Sequence, residues 1–115
     1  MTSIETPRLT LRPIGEDDLT GICRVQSDPR VYALMPLEPF TREESRAWLQ
    51  RCLARADGTV GFRAALLKET GDYAGHAGLL PQVVDGVEEL EIGYWFAPEY
   101  WGRGLATEAA CALRD

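Results

Sequence analysis

The sequence has no surplus of positive charge: 12 Lys and Arg residues stand against 18 Asp and Glu residues, which gives a net charge of −6 at pH 7. Affinity for nucleic acids comes mainly from Lys and Arg side chains that displace counterions from phosphates. This balance argues against a nucleic-acid partner and favours a basic or cationic one. With 115 residues, 45% of them hydrophobic, the chain can bury one core but not two, which excludes a multi-domain organisation.

Cysteine is also scarce. Cys23, Cys52 and Cys111 are odd in number, far apart and without Cys-x-x-Cys spacing, so neither a disulfide framework nor a metal site is expected. The first 13 residues contain no apolar run of the length of a signal peptide or a membrane span. The sequence therefore predicts a cytoplasmic protein that is neither exported nor anchored in a membrane.

The N-terminal half of the chain predicts one strand and a short helix. Polar and apolar residues alternate over residues 8–14, which is typical of a half-buried strand, and Pro13 favours a position at the sheet edge. The acidic start at residues 16–18 predicts a helix that ends at Asp28-Pro29. Residues 31–39, which contain two prolines, are expected to be irregular.

A second helix is predicted to begin at a capping box. The Thr41 hydroxyl can accept a hydrogen bond from the backbone N–H of Glu44, and the Glu44 carboxylate can reach back to Thr41. Asp57-Gly58 is expected to close this helix. Its apolar residues have the spacing of one buried face and are Trp48, Leu49, Cys52, Leu53 and Ala56.

Three strands and a helix are predicted in the C-terminal half. Residues 59–68 and 73–84 are expected to be strands, the second with a bulge or close contact at its glycines. Asp85-Gly86 predicts a type I′ hairpin turn, so the strand over 88–96 should run antiparallel to the one before it. A helix is predicted from about Leu105. One face of the third strand carries Leu90, Ile92, Tyr94 and Phe96, and the last two side chains are expected in the core.

A Gly-Arg-Gly loop, residues 102–104, connects this strand to the last helix. The first N–H groups of a helix lack backbone partners, and glycine allows a ligand close to the backbone, so the loop suits a phosphate or pyrophosphate. Gly-x-Gly alone favours the alternative interpretation, a tight turn without a ligand. The dinucleotide-binding fingerprint is not met, because Thr107 stands where a third glycine would be required.

Residues 91–109, EIGYWFAPEYWGRGLATEA, resemble the acetyl-CoA-binding motif of the GNAT superfamily of N-acetyltransferases, in its RimJ/RimL-type branch of ribosomal-protein alanine acetyltransferases. Residues 5–13, ETPRLTLRP, are similar to the opening strand of that branch. The resemblance covers the whole chain. It implies an α+β fold, with a mostly antiparallel sheet flanked by helices, as a single domain over residues 1–115 that is truncated after the acetyl-CoA-binding helix.

The resemblance implies acetyl-CoA as cosubstrate, with its pantetheine arm paired to backbone groups around Tyr94 and Phe96. Trp101 stands where the family pattern usually has Gln or Arg, a modest departure because backbone groups hold the phosphates. The Arg103 side chain can add a phosphate contact, although a solvated surface arginine is equally consistent. The implied pyrophosphate-binding residues are Gly102, Arg103, Gly104, Leu105, Ala106 and Thr107.

The implied reaction moves an acetyl group to a primary amine, which can be a protein N-terminus or a small molecule. The amine must be neutral to attack, so a base, or a water chain leading to one, is required. Glu91 is the first candidate because it lies in the strand next to the motif, although a solvated carboxylate is the alternative. His76, the only histidine, is the second candidate, with a structural role as its alternative.

GNAT domains normally continue with a further strand, a helix that often carries a tyrosine acting as general acid, and a closing hairpin. Without these elements the strand ending at Phe96 has an unpaired edge, which predicts pairing with another chain and hence a homo-oligomer. A catalytically inactive CoA-binding or protein-interaction module of the same fold is the alternative function.

Overall fold

The computed structural model describes residues 3–33, 38–54 and 61–114, except for the side chains of residues 80–82, 84, 90 and 91. Within these residues three α-helices flank one sheet, namely α1 (Leu19–Gln26), α2 (Arg42–Ala54) and α3 (Leu105–Arg114). The five strands in the same part of the chain are antiparallel and lie in sequence order, as β1 (Ile4–Glu5), β2 (Leu9–Pro13), β3 (Gly61–Leu67), β4 (Tyr73–Val84) and β5 (Val87–Phe96). The α+β class expected from the sequence is confirmed.

Helices cover both faces of the sheet. Because side chains alternate along a strand, Ala65 of β3 packs in the cluster with α3, whereas its neighbour Ala64 packs in the cluster with α1 and α2. The spacing that predicted the last helix is confirmed, since its buried residues are Leu105, Ala109 and Leu113. Among the described residues, no helix combines the length and the apolar content that crossing a bilayer requires.

Two local predictions are confirmed by hydrogen bonds and backbone angles. The Thr41 hydroxyl accepts from the Glu44 N–H at 3.2 Å, and a Glu44 carboxylate oxygen accepts from the Thr41 N–H at 2.9 Å. Asp85 and Gly86 have φ values of 51° and 80°, which a type I′ turn requires. The predicted end of α2 at Asp57-Gly58 lies outside the described residues.

The glycines of β4 mark close backbone contacts, as predicted. A Cβ atom at Gly75 would lie 2.2 Å from the Trp95 carbonyl oxygen, and one at Gly78 would lie 2.2 Å from the Gly61 carbonyl oxygen. Since backbone atoms cannot give way as a flexible side chain can, neither position accepts a larger residue without moving a strand. These glycines allow β4 to pack closely between β3 and β5.

One prediction about the N-terminal half is wrong. β2 is not an edge strand, because β1 pairs with it at Thr10 and Leu11. Pro13 is tolerated because the β1 pairing does not extend to it, so its missing N–H costs no hydrogen bond on that side. A 3-10 helix, Pro29–Tyr32, extends over the first two residues of the segment expected to be irregular, and the Asp28 side chain caps it by accepting from the Arg30 N–H at 2.9 Å. Residues 38–39 of that segment lie in no helix or strand, and residues 34–37 lie outside the described residues.

Candidate functional site

The candidate site begins where β5 ends. After Phe96 the chain makes one 3-10 turn and enters α3 through residues 101–104. Gly102 and Gly104 have φ values of 78° and 75°, a region that glycine adopts without strain. The Trp101 indole N–H donates a 2.8 Å hydrogen bond to the Phe96 carbonyl, which ties this loop to the end of the strand.

The loop presents a group of backbone donors. The Gly104 carbonyl accepts from the Glu108 N–H at 3.0 Å and so begins the hydrogen-bond ladder of α3. Within the described part of the chain, nothing accepts from the backbone N–H groups of residues 102–107. These donors lie at the positive end of the helix dipole, so the arrangement can hold an anion.

Two adjoining cavities lie beside these donors. One, of about 240 Å³, is lined by the loop, the start of α3 and the aromatic residues Tyr100 and Trp101. The other, of about 230 Å³, follows the edge of β5 and is lined by Tyr94, Trp95 and Val31. Residues common to both linings are Phe96, Trp101 and Ala106. The two cavities together form a path from the N-terminus of α3 along the outer edge of β5.

All the residues suggested for cofactor binding except Arg103 line this path, and their role stays a prediction. Arg103 instead lines a neighbouring cavity together with Arg8. Phe96 is 5% exposed, as expected for a core side chain. The expectation that Tyr94 is also in the core is wrong, because its side chain is 49% exposed. β5 is the last described strand of the sheet, so no further described strand covers Tyr94. The Arg103 guanidinium carbon lies 5.6 Å from the centroid of the Tyr100 ring.

The sequence did not indicate that Arg8 and Glu108 contact each other. The Arg8 Nε donates to Glu108 Oε1 at 2.8 Å, and the Arg8 backbone N–H donates to Glu108 Oε2 at 2.8 Å. The Thr6 hydroxyl donates to the same Oε2 at 2.6 Å. Burial alone would raise the pKa of Glu108, but the hydrogen bonds from Thr6 and Arg8 outweigh it and hold the pKa below its usual range.

The two candidate bases lie on β4 and β5 and not in the loop. His76 is fully buried, and burial lowers its pKa to about 3, so the ring is neutral at neutral pH. The Tyr73 hydroxyl lies 2.8 Å from the His76 Nδ1, and the Trp48 ring centroid lies 4.7 Å from the centroid of the His76 imidazole. The backbone of Glu91 pairs with Leu80, but its side chain lies outside the described part of the structure. Both assignments stay predictions.

Among the residues that the structure describes, no three His, Cys, Asp or Glu side chains are placed to hold a metal ion.

The sequence profile of the family described as "Acetyltransferase (GNAT) domain" matches residues 8–115. The chain belongs to the GNAT acetyltransferase family. The loop and α3 described above fall within the matched residues.

Individual relatives agree with the GNAT assignment. The chain is 32% identical over 118 residues to p20 of Bacillus licheniformis, named as an uncharacterized N-acetyltransferase, covering 100% of this chain and 65% of p20. It is 27% identical over 118 residues to the FsC-acetyl coenzyme A-N(2)-transacetylase of Aspergillus fumigatus, covering 94% of this chain and 49% of that one. The chain thus spans about two thirds of p20 and half of the transacetylase.

A solved structure supports the same family. The crystal structure of the acetyltransferase from Agrobacterium tumefaciens superimposes with a TM-score of 0.80 at 29% identity. The superposition covers 100% of this chain and 66% of that chain. The order of strands and helices around the candidate site is therefore that of a solved acetyltransferase.

Proposed function

We propose that this chain binds acetyl-CoA and transfers its acetyl group to a primary amine. The observation that carries the proposal is the set of backbone N–H groups of residues 102–107, which lack protein acceptors in the described structure and lie beside a cavity. Such donors match the two negative charges of a pyrophosphate. The relative from Aspergillus, whose name includes acetyl coenzyme A, supports this choice of donor.

The same proposal assigns a role to each part of the path. The start of α3 would hold the pyrophosphate, and the pantetheine arm would pair with the backbone of β5 around Tyr94 and Phe96 as an added strand does. Bound acetyl-CoA supplies a thioester carbonyl, which the neutral amine attacks, and the thiolate departs as the C–S bond breaks. The nitrogen loses its proton to a base, for which Glu91 is our first assignment and His76 the second.

Residues 5–13 and 91–109 support a finer assignment to the RimJ/RimL-type branch, whose acceptor is the N-terminal amine of a protein. The net charge of −6 suits such an acceptor, since an amine reaches the enzyme mostly as a cation. A cytoplasmic location is part of the proposal. It is supported by the cysteines, because no disulfide joins the described residues.

The proposal is tested by calorimetric titration with acetyl-CoA. We expect saturable binding with a Kd in the micromolar range, because the donors of the loop are already oriented in the unliganded chain. Pantetheine, which lacks the pyrophosphate, serves as the control ligand and should bind much more weakly than acetyl-CoA. No heat at acetyl-CoA concentrations well above micromolar would contradict the proposal.

A CoA-binding or protein-interaction module without turnover is the second candidate function. It is favoured by the burial of the only histidine, since a neutral ring with a pKa of about 3 is a poor base at neutral pH. Thiol release from acetyl-CoA in the presence of a panel of amines separates the two candidates. Release above the rate without amine supports the enzyme, whereas binding without release supports the module.

We also propose that the chain forms a homo-oligomer through β5. No described strand pairs with the outer side of β5, and Val87 at its start is 58% exposed. An open strand edge pairs readily with another strand, and pairing near the hairpin turn would leave the path at Tyr94 accessible. Sedimentation velocity at micromolar concentration is expected to show a dimer or larger species. A strictly monomeric profile would exclude this interface.

A further inference from the structure

Arg8 contacts the loop of the candidate site as well as α3. Its Nη1 donates a 2.7 Å hydrogen bond to the Arg103 carbonyl oxygen. A Cβ atom built on Gly104 would lie 3.5 Å from the Arg8 Nη2, so the guanidinium lies directly against this part of the loop. Arg8 lies in the bend between β1 and β2, and nothing in the loop sequence itself indicates this contact.

The bond to the Arg103 carbonyl determines where the next N–H points. The described peptides are all trans, and in a trans peptide the carbonyl and the following N–H point in opposite directions. With its carbonyl directed at Arg8, the Arg103–Gly104 peptide directs the Gly104 N–H away from Arg8. Gly104 lines the 240 Å³ cavity, whereas Arg8 does not.

This peptide requires an external restraint. Arg103 lies between two glycines at positive φ, and glycine allows a peptide plane to rotate at little steric cost. If the plane turned over, the Arg103 carbonyl would face the cavity in place of the Gly104 N–H and would repel an anion. The loop conformation alone therefore does not guarantee a donor at this position.

Glu108 in turn holds Arg8. Its two carboxylate oxygens accept from the Arg8 side chain and backbone, and the Thr6 hydroxyl shares one of them. The Glu108 side chain is 15% exposed and Arg8 is 49% exposed. A half-exposed ion pair contributes little to global stability. These contacts therefore orient the guanidinium more than they hold the fold together.

We propose that Arg8 is a positioning residue for anion binding, which sets the Arg103–Gly104 peptide so that the Gly104 N–H faces the cavity, and that Glu108 fixes Arg8 in this orientation. The inference rests on the proposed function, because the anion is the pyrophosphate of acetyl-CoA. It adds that Arg8, which lies between β1 and β2 and outside the loop, determines whether the loop can bind.

Glu108→Gln provides the decisive variant, because positioning and simple electrostatics predict opposite results. Glutamine has the same shape but only one acceptor oxygen, so it cannot hold Arg8 by both contacts. We expect the Kd for acetyl-CoA, measured by calorimetry, to rise by about three- to tenfold. If Glu108 acted only through its negative charge near the anion, the Kd would fall. A lower or unchanged Kd therefore overturns the inference.

Arg8→Ala is expected to raise the Kd for acetyl-CoA by about tenfold. Arg46→Ala, on the exposed side of α2 across the sheet, removes the same charge and should leave the Kd unchanged. Pantetheine binding, followed by NMR shifts, should be unchanged in every variant, because it does not use the loop donors. If a variant bound acetyl-CoA and pantetheine more weakly by the same factor, the loss would reflect general disorder of the fold, and the inference would be overturned. A wild-type chain that fails to bind acetyl-CoA overturns the proposed function itself.

Discussion

Replacing Ala106 by aspartate is expected to raise the Kd for acetyl-CoA by at least about a hundredfold, a loss of about 2.7 kcal/mol. Ala106 is the second residue of α3 and lines both cavities. A carboxylate at this position would accept from the N–H groups that are proposed to hold the pyrophosphate, and it would repel the ligand. Calorimetric titration of the variant measures the effect.

The fold should tolerate this substitution, because a negative charge in the first turn of a helix is favourable. The thermal unfolding midpoint of Ala106→Asp is therefore expected to equal or exceed that of the wild type. Ala106→Asn has nearly the same size without the charge, and its loss of affinity should be much smaller. If asparagine and aspartate weakened binding equally, the anion would not lie at the start of α3.

Acidification is expected to destabilise the chain well above the pH at which carboxylates protonate. His76 has its ordinary pKa of 6.5 when unfolded and a pKa of about 3 when buried. Below pH 6.5 the unfolded chain therefore binds a proton that the folded chain does not. The free energy of unfolding should decrease by about 2 kcal/mol between pH 7.5 and pH 5, as measured by urea denaturation.

The variant His76→Gln isolates this effect, because glutamine does not titrate. Its free energy of unfolding should be nearly constant from pH 7.5 to pH 5. The pKa values of Asp18 and Glu108 are also lowered in the folded chain, where hydrogen bonds outweigh the opposing effect of burial. The stability that these two carboxylates contribute is lost only as the pH falls below about 4, where they become protonated. A wild-type chain with no slope above pH 5 would show that His76 is accessible to protons.

Local sequence signals predicted local structure well. The turn at Asp85-Gly86 and the cap at Thr41 depend on residues only a few positions apart, so both could be identified without knowing the fold. The predicted bounds of β4, residues 73–84, are those observed. Errors arose where the answer depends on distant neighbours. Whether Pro13 lies at an edge is decided by β1, and whether Tyr94 is covered is decided by what packs beside β5.

The features of the candidate site also divide into those that local sequence predicts and those that depend on distant residues. Gly102 and Gly104 indicated the loop, because positive φ and unpaired helical N–H groups follow from a few adjacent residues. The contact between Arg8 and Glu108 joins residues 100 positions apart, and no periodicity or spacing reports it. The only signal was indirect: both residues lie in the two segments that resemble the same family. The burial of His76 likewise depends on Trp48, which belongs to another element.

The long separation between Arg8 and Glu108 has a consequence for the order of folding. Contacts between distant residues require the largest loop to close and so form late, after hairpins such as that of β4 and β5. A chain emerging from the ribosome cannot make this contact until the first turn of α3 has been synthesised. Newly made molecules should therefore acquire affinity for their ligand only after Arg8 and Glu108 have come together.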